Sequence, residues 1–384
     1  MIEFINKQDC CGCGACVQIC PKHCIALKTD EEGFLYPNVW TDSCVNCGLC
    51  RQVCPILANA AQKHEPEQTL AARAVCDEIR GTSSSGGIFS LLALHVLSRN
   101  GVVFGAAFDM DFSVHHVKIE TAEQLQHLRG SKYLQSRIED TYIQARDVLE
   151  QGRMVLFSGV GCQIAGLKTF LRKEYQNLYT VDVLCHGVPS PEIWKFCLCS
   201  VARNRLGDLE SVFFRSKKTG WHNYSSELIF VSGENYCKAC TEDAFMRCFL
   251  SNICLRPSCH HCHFREGKSG ADITLGDAWG IEKWLPELDD DTGASLVLVN
   301  SGKGRQLWEE ICSQTENRAV DAETALASNM VYKRSVKPHP NRARFFKALN
   351  NGATMDELLR LTRQPIYKRC ICFARNVAKK LLGR

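Results

Sequence analysis

Two cysteine runs near the start of the chain have a spacing that suits iron–sulfur chemistry. Each reads C-x2-C-x2-C-x3-C-P, one from Cys10 to Pro21 and the other from Cys44 to Pro55. In such pairs, three thiolates of one run bind one 4Fe-4S cluster, and the fourth binds the cluster of the other run. The spacing therefore predicts two clusters. Cluster I is assigned Cys10, Cys13, Cys16 and Cys54, and cluster II is assigned Cys44, Cys47, Cys50 and Cys20.

Disulfides and zinc are the alternatives for these runs, and both fit them less well. Disulfides need an oxidising compartment, but the first residues show no basic segment followed by an apolar run. Paired zinc knuckles use four thiolates per site and leave the additional thiol and the Cys-Pro endings unexplained. Cys11 and Cys24 lie outside the spacing and are interpreted as small fillers beside the clusters.

A second, weaker cysteine motif lies further along the chain. Cys259-x2-Cys262 alone suits zinc, a redox pair or half of a cluster. With thiolates from Cys185 and either Cys162 or Cys254, it predicts a third 4Fe-4S site. Zinc and inert thiols remain the alternatives. Four histidines near the motif make zinc the alternative to test: His222, His260, His261 and His263.

A serine- and glycine-rich stretch, residues 83–87, precedes an apolar segment from Ile88 to Leu97 that Asn100-Gly101 closes. The pattern predicts a helix with hydroxyl and glycine residues at its start. Backbone N–H groups at such a start can bind a phosphate or pyrophosphate, although an ordinary helix cap explains the residues equally well.

Strands and helices alternate from Val102 onward. Short buried runs such as 154–157 and 179–184 are each followed by a loop and a helical segment. This order predicts an α/β sheet whose ligands gather at the carboxyl ends of its strands, where Cys162 and Cys185 both lie. Before it, residues 26–37 read as a hairpin between the two cysteine runs, and residues 58–69 read as a polar linker.

Six ordered blocks of sequence give the chain a family resemblance. They are residues 83–87, 130–136, 161–167, 185–190, 256–262 and 272–280. Over residues 70–345 the chain resembles the coenzyme F420 hydrogenase/dehydrogenase beta-subunit proteins, with a two-cluster ferredoxin module in front. One departure concerns the block Gly161-Cys162-Gln163, because the family commonly has proline where Gly161 stands.

The resemblance implies an FAD beside a 4Fe-4S cluster. It implies that the flavin phosphate site comprises Ser84, Ser85, Gly86 and Gly87, and that Lys132, Tyr133 and Gln135 line the flavin or substrate pocket. Relatives include subunits of deazaflavin-linked hydrogenases and reductases of organic substrates. Many relatives also accompany surface-polysaccharide genes, and some occur in organisms without coenzyme F420, so the acceptor stays open.

Composition limits the other functions. Twenty-four cysteines without a visible signal sequence predict a cytoplasmic chain, and a net charge of +4 does not indicate nucleic-acid binding. No apolar run reaches the ~18 residues of a membrane span. Residues 365–384 carry six basic residues and no acid. They predict a cationic amphipathic helix that either contacts the inner face of a membrane or docks on protein.

The predicted fold class is an α+β ferredoxin-like module followed by an α/β flavin-binding domain with a mixed sheet. The predicted boundaries are 1–60 for the ferredoxin domain, 61–80 for a linker, 81–345 for the FAD and Fe-S domain, and 346–384 for the basic helical tail. The predicted function is an oxidoreductase that passes electrons from ferredoxin or a partner subunit through clusters and FAD to a small organic or deazaflavin acceptor. The alternatives are a non-catalytic electron-transfer subunit and an interaction protein with structural clusters.

Overall fold

The computed structural model describes residues 1–3, 6–59, 62–202 and 206–363. Residues 364–384, which contain the whole basic segment 365–384 predicted to contact a membrane, lie outside the described residues. Among the described helices, none is both long and apolar enough to cross a membrane.

Short helices and strands alternate along most of the chain. The strands are β1 (Ile25–Thr29), β2 (Leu35–Val39), β3 (Gln68–Ala74), β4 (Val102–Phe108), β5 (Val114–Ile119), β6 (Val155–Val160), β7 (Leu178–Val183), β8 (Leu209–Ser216), β9 (Ser225–Phe230), β10 (Asn235–Ala239), β11 (Ile273–Asp277), β12 (Ser295–Val299) and β13 (Thr315–Ala319). The α-helices are α1 (Ala15–Gln18), α2 (Leu49–Gln52), α3 (Asp77–Gly81), α4 (Ile88–Ser98), α5 (Thr141–Glu150), α6 (Gly161–Leu171), α7 (Pro191–Ala202), α8 (Ala244–Leu250), α9 (Ile281–Trp284), α10 (Gly302–Glu309), α11 (Ala322–Ala327), α12 (Arg342–Asn350) and α13 (Met355–Leu361).

The N-terminal residues, 1–59, form a small unit that we call the dicluster module. Strands β1 and β2 pair antiparallel and join the two cysteine runs. Helices α1 and α2 each follow a glycine in the left-handed region, Gly14 at φ +75° and Gly48 at φ +76°. A side chain at either position would strain the turn that leads each run into its helix.

A mixed sheet of eight strands, which we call the main sheet, organises the rest of the chain. Its strand order is β13-β3-β12-β11-β7-β6-β4-β5. Strands β11, β7, β6 and β4 are parallel to one another, and the strands outside them are antiparallel to their neighbours. The expected mixed α/β architecture is confirmed. Residues 61–80, expected as a linker, include β3 and α3, and the predicted domain boundaries stay predictions.

Alternating side chains give the main sheet two apolar faces. Val103 and Leu156 pack on one face with α4 and α10, whereas Phe104 and Phe157 pack on the other face with α5 and α6. This period of two follows from the pleat of a strand. Burial on both faces makes the parallel centre rigid, and it fixes the positions of the loops at its carboxyl end.

A third layer lies beside the main sheet. Strands β10, β9 and β8 form a small antiparallel sheet that shares one apolar core with helices α7, α8, α12 and α13. The dicluster module is also tied to this layer, because Arg342 at the start of α12 forms a two-pronged ion pair with Glu32.

Candidate redox site

The eight cysteines predicted to bind clusters I and II lie in two groups. The four thiols predicted for cluster II, Cys20, Cys44, Cys47 and Cys50, line one small cavity. Cys24 lines the same cavity, with its Sγ 3.4 Å from that of Cys20. The four thiols predicted for cluster I are all buried, and Cys16 interacts electrostatically with both Cys10 and Cys54. Cys47 is exposed, so the cluster II end of the module faces outward.

A cavity of about 750 Å³ opens at the carboxyl ends of the parallel strands, and we call it the large cavity. Its wall includes residues 158–163 at the end of β6 and the start of α6, residues 181–188 at the end of β7 and in the loop after it, and residues 274–277 of β11. Open α/β sheets bind ligands at this end of their strands. The volume lies in the upper part of the range for small-molecule and cofactor sites, about 300–1,000 Å³.

The four cysteines predicted for a third cluster all line the large cavity. Cys162 stands in the first turn of α6, Cys185 follows β7, and Cys259 and Cys262 come from the segment after α8. We call these four the third thiol site. Cys254, the alternative fourth ligand, is fully buried in the apolar core around α8 and does not line the cavity. The geometry therefore favours Cys162 over Cys254, and four convergent thiols form a donor set that suits a 4Fe-4S cluster.

Burial and nearby hydrogen-bond donors have opposite effects on the pKa values of these thiols. Burial raises the pKa of Cys185 to about 11 and that of Cys259 to about 12. The Val188 N–H donates to Cys259 Sγ at 3.4 Å, and the Arg265 guanidinium donates to the Cys185 carbonyl at 2.6 Å. A bound metal removes the protons from its thiol ligands, and the N–H group and guanidinium then stabilise the resulting negative charge.

The predicted phosphate segment borders the large cavity only in part. Ser84, Ser85 and Gly87 line the cavity, and Gly87 precedes α4 in the left-handed region at φ +87°. Gly86 does not line it. The Gly86 N–H donates to Ser295 Oγ, and a Cβ there would lie 2.5 Å from the Ala72 carbonyl oxygen. The structure thus places Gly86 as a packing contact with β3 and β12.

The two serines already have protein partners. Ser84 Oγ accepts from the Ser131 N–H at 2.7 Å, and Ser85 Oγ donates to the Ala294 carbonyl at 2.9 Å. The Ser84 bond holds the segment against residues 129–136 of the cavity wall, and the Ser85 bond holds it against the residue before β12.

Lys132, Tyr133 and Gln135 all line the large cavity, but they differ in their contacts. Lys132 Nζ donates to the carbonyls of Arg129 and Gly130, and burial lowers the pKa of Lys132 to about 7. The Tyr133 ring stacks on Phe249, with ring centroids 4.9 Å apart. This pair presents a flat aromatic surface of the kind that a planar ring system packs against.

Gln135 connects the cavity wall to the dicluster module. Its Nε2 donates to the Cys11 carbonyl at 3.2 Å, and its Oε1 accepts from Arg256 at 2.9 Å. Both polar atoms of the side-chain amide are therefore hydrogen-bonded to other residues of the protein. Gln135 acts in this structure as a link between Cys11 and the loop before Cys259.

The histidines that made zinc an alternative are dispersed. His263 lines the large cavity, whereas His260 is bonded through Nδ1 to the Val336 carbonyl at 3.0 Å, and His261 is exposed. His222 lies elsewhere with Glu282 and Asp289, whose ligand atoms lie within 4.8 Å of one another.

Several cavity residues were not identified from the sequence. Arg215 of β8 forms a buried ion pair with Asp277 at 2.7 Å, and its guanidinium lies 4.1 Å from the Tyr224 ring. His116 is buried against Phe157, and burial lowers the pKa of His116 to about 4. Asp277 did lie within one of the sequence blocks noted above, but no local signal marks Arg215 or His116.

Two regions of the chain match the models of known protein families. Residues 152–324 match the family described as coenzyme F420 hydrogenase/dehydrogenase, beta subunit (C terminus), and residues 9–58 match the 4Fe-4S dicluster domain. Residues 152–324 therefore carry the C-terminal region of this beta-subunit family, and an N-terminal dicluster domain precedes it. All four cysteines of the third thiol site fall within the matched beta-subunit region.

Among solved structures, the protein is similar to a chain of the F420-reducing NiFe hydrogenase complex from Methanosarcina barkeri, studied by xenon derivatization. The two are 18% identical, the match covers 71% of this chain and 91% of that chain, and the TM-score is 0.49. No curated protein matches the sequence. A beta-subunit region joined to a 4Fe-4S dicluster domain makes the protein an electron-transfer oxidoreductase component.

Proposed function

We propose that the chain is an iron–sulfur flavoprotein that transfers electrons from a ferredoxin-type donor or partner subunit to an organic or deazaflavin acceptor. One observation carries the proposal. The third thiol site, the aromatic pair Tyr133–Phe249 and Cys11 of the dicluster module all line the same large cavity. When bound, clusters carry single electrons and FAD accepts them singly and releases a pair, which a two-electron acceptor requires.

The chain's own residues supply position and charge. Cys162, Cys185, Cys259 and Cys262 would hold a third 4Fe-4S cluster at the base of the cavity. Ser84, Ser85 and Gly87 would contact the phosphates of FAD, with Lys132 on the facing segment. Tyr133 and Phe249 offer an apolar surface for a ring.

Purified holoprotein, reconstituted anaerobically, tests the proposal by metal and flavin counts. We expect about twelve irons per chain, from three clusters of four, together with about one FAD and no stoichiometric zinc. A count of eight irons would exclude the third cluster, and a count of one zinc per chain would assign Cys259 and Cys262 to zinc. A colourless protein without iron or flavin would overturn the whole proposal.

A second candidate, an electron-transfer subunit without its own substrate, is favoured by the surface near cluster II. Trp40 and Val45 are more than half exposed beside Cys44 and Cys47, and exposed apolar residues around a redox centre suit a docking partner. Stopped-flow oxidation of the dithionite-reduced holoprotein separates the candidates. Oxidation by a small acceptor alone supports the enzyme, whereas oxidation only after a partner protein is added supports the subunit. Surface polysaccharide metabolism stays an expectation from the resemblance.

A further inference from the structure

Arg256 is a charged residue with no exposed surface, and two of its three guanidinium nitrogens donate to the dicluster module. Its Nε donates to the Cys10 carbonyl at 2.9 Å, and its Nη2 donates to the Leu35 carbonyl at 2.9 Å and to Cys10 Sγ at 3.7 Å. Its Nη1 donates to Gln135 at 2.9 Å, and the group lies 4.3 Å from the Tyr36 ring. One arginine therefore contacts both the backbone and the sulfur of a cluster I cysteine.

The backbone of the same residue holds the third thiol site. The Arg256 N–H donates to the Val188 carbonyl at 2.9 Å, and the Arg256 carbonyl accepts from the Cys259 N–H at 3.0 Å. The short helical turn Lys7–Asp9 packs directly on the turn Pro257–His261. Arg256 thus joins the loop of Cys10 to the loops that carry Cys185 and Cys259.

The charge on Arg256 is not shared with an acid in the described residues, where carbonyl oxygens, an amide oxygen and a thiol are its hydrogen-bond acceptors. A fixed positive charge in a buried site interacts strongly with any nearby change in charge. Reduction adds one negative charge to a cluster, and hydrogen bonds to cluster sulfurs raise its potential. Burial alone lowers the reduction potential of a cluster, because it disfavours the additional negative charge.

We propose that Arg256 is a positioning residue that fixes cluster I beside the third thiol site and raises the reduction potential of cluster I. The inference rests on the proposed function, because it requires cluster I to be held by Cys10. A higher potential at cluster I gives electron transfer a direction. Electrons that enter at the exposed cluster II then pass to the buried cluster I, next to the large cavity.

The test is a redox titration of holoprotein followed by electron paramagnetic resonance, comparing wild type with Arg256→Gln. We expect the midpoint potential of cluster I to fall, with at least a tenfold change in its reduction equilibrium, or about 59 mV for a one-electron couple. Cluster II should keep its midpoint, because in the part of the chain that the structure describes Arg256 contacts none of its predicted ligands. Arg342→Gln is the matched control, because Arg342 also joins the dicluster module to the rest of the chain through Glu32, and it donates to the Leu255 carbonyl next to Arg256. In the described residues, Arg342 makes no contact with a cysteine predicted to bind clusters I or II or with the third thiol site, and we expect its variant to leave all the midpoints unchanged.

Equal shifts in both variants, or no shift in Arg256→Gln with its iron retained, would overturn the inference and leave the proposed function intact. Wild-type protein without iron would instead overturn the proposed function. If Arg256→Gln loses cluster I, wild-type protein labelled with 15N-arginine decides the question. Electron spin echo modulation should then show a nitrogen coupled to reduced cluster I, and a spectrum without that coupling rejects the Arg256 contact.

Discussion

Cys11 of the dicluster module and Cys162 of α6 both line the large cavity, and their thiols interact. Interactions with the thiols of Cys162 and of Cys13, which is predicted to bind cluster I, lower the pKa of Cys11 well below its usual range. Cys11 therefore stands between the cluster I ligands and the third thiol site. The large cavity has five thiols in its wall, Cys11 and the four of the third thiol site, although a cluster needs only four.

Replacing Cys162 by serine should remove the third cluster, and replacing Cys11 should not. Cys162 shares the cavity wall with Cys185 and Cys262 and interacts electrostatically with both, so its loss leaves three thiolates for the site. We expect iron in Cys162→Ser to fall from about twelve to about eight per chain, and to stay near twelve in Cys11→Ser. Iron and sulfide assays on anaerobically purified protein measure the difference.

Cys254→Ser is the control for this pair, because Cys254 is buried in the apolar core outside the cavity. Its iron content should match that of wild type. The reverse pattern, in which Cys11→Ser loses four irons and Cys162→Ser loses none, would make Cys11 the fourth ligand.

Gly166→Ala should weaken the docking of the dicluster module on α6. A Cβ at Gly166 would lie 2.9 Å from Cys13 Cβ and 3.0 Å from Cys13 Sγ, so the added methyl pushes directly on a cluster I thiol. Overpacking of this kind costs about 1–3 kcal/mol in the free energy of unfolding. We expect iron to be extracted from cluster I faster by a chelator, measured as loss of absorbance under anaerobic conditions.

Gly302→Ala provides the matched comparison, because a Cβ at Gly302 would meet no atom within 4 Å. It makes the same chemical change in the first turn of α10, far in sequence from every cysteine predicted to bind a cluster. Equal extraction rates in the two variants would contradict the close contact between α6 and Cys13.

Local sequence signals predicted the elements that carry the site. A helix over 88–97 was predicted from its serine- and glycine-rich start and from Asn100-Gly101 after its end. The observed helix α4 spans Ile88–Ser98. The run 154–157 followed by glycines placed a strand before a helix, as found in β6 and α6. Because these strands are parallel, their carboxyl ends lie together, which brings Cys162 and Cys185 to one cavity.

Contacts between distant parts of the chain could not be read from local patterns. Gln135 bonds to Cys11 across 124 positions, and Arg256 bonds to Cys10 across 246. These contacts depend on how the dicluster module docks on the main sheet. The same docking places Cys11 in the cavity wall. The sequence did not indicate this position, because Cys11 is not one of the regularly spaced cysteines of the first run. Gly86 and Gly87 are neighbours in one glycine-rich segment, but only Gly86 packs against the backbone of β3. Nothing in the sequence of the segment distinguishes the two glycines.

His116 should make the protein less stable in acid. Its Nδ1 lies 2.6 Å from Ser136 Oγ and its Nε2 lies 2.9 Å from the Ser158 carbonyl, and burial lowers its pKa from 6.5 to about 4. Between these values the unfolded chain binds a proton that the native protein does not, so stability falls as the pH drops from 6.5 to 4. The full effect is roughly 3 kcal/mol at about 1.36 kcal/mol per pH unit.

The measurement is the free energy of unfolding against pH for wild type and His116→Gln. Glutamine retains a donor and an acceptor but does not titrate, so the slope between pH 4 and 6.5 should become shallower. The absolute stability should also fall, because glutamine cannot stack on Phe157 as the imidazole does. Parallel curves for the two proteins would show that His116 is not the titrating group.

Breaking the Arg215–Asp277 pair from one side should cost more than removing both charges. Arg215 has 2% of its side chain exposed, and Asp277 Oδ2 accepts from it at 2.7 Å in the wall of the large cavity. Asp277→Asn leaves a buried guanidinium charge unpaired, which costs about 3–5 kcal/mol. The double variant Arg215→Met with Asp277→Leu removes both charges and should recover most of that loss. Denaturant unfolding of the three proteins measures the difference, and a single variant as stable as wild type would mean that solvent reaches the guanidinium and that this wall of the cavity is open.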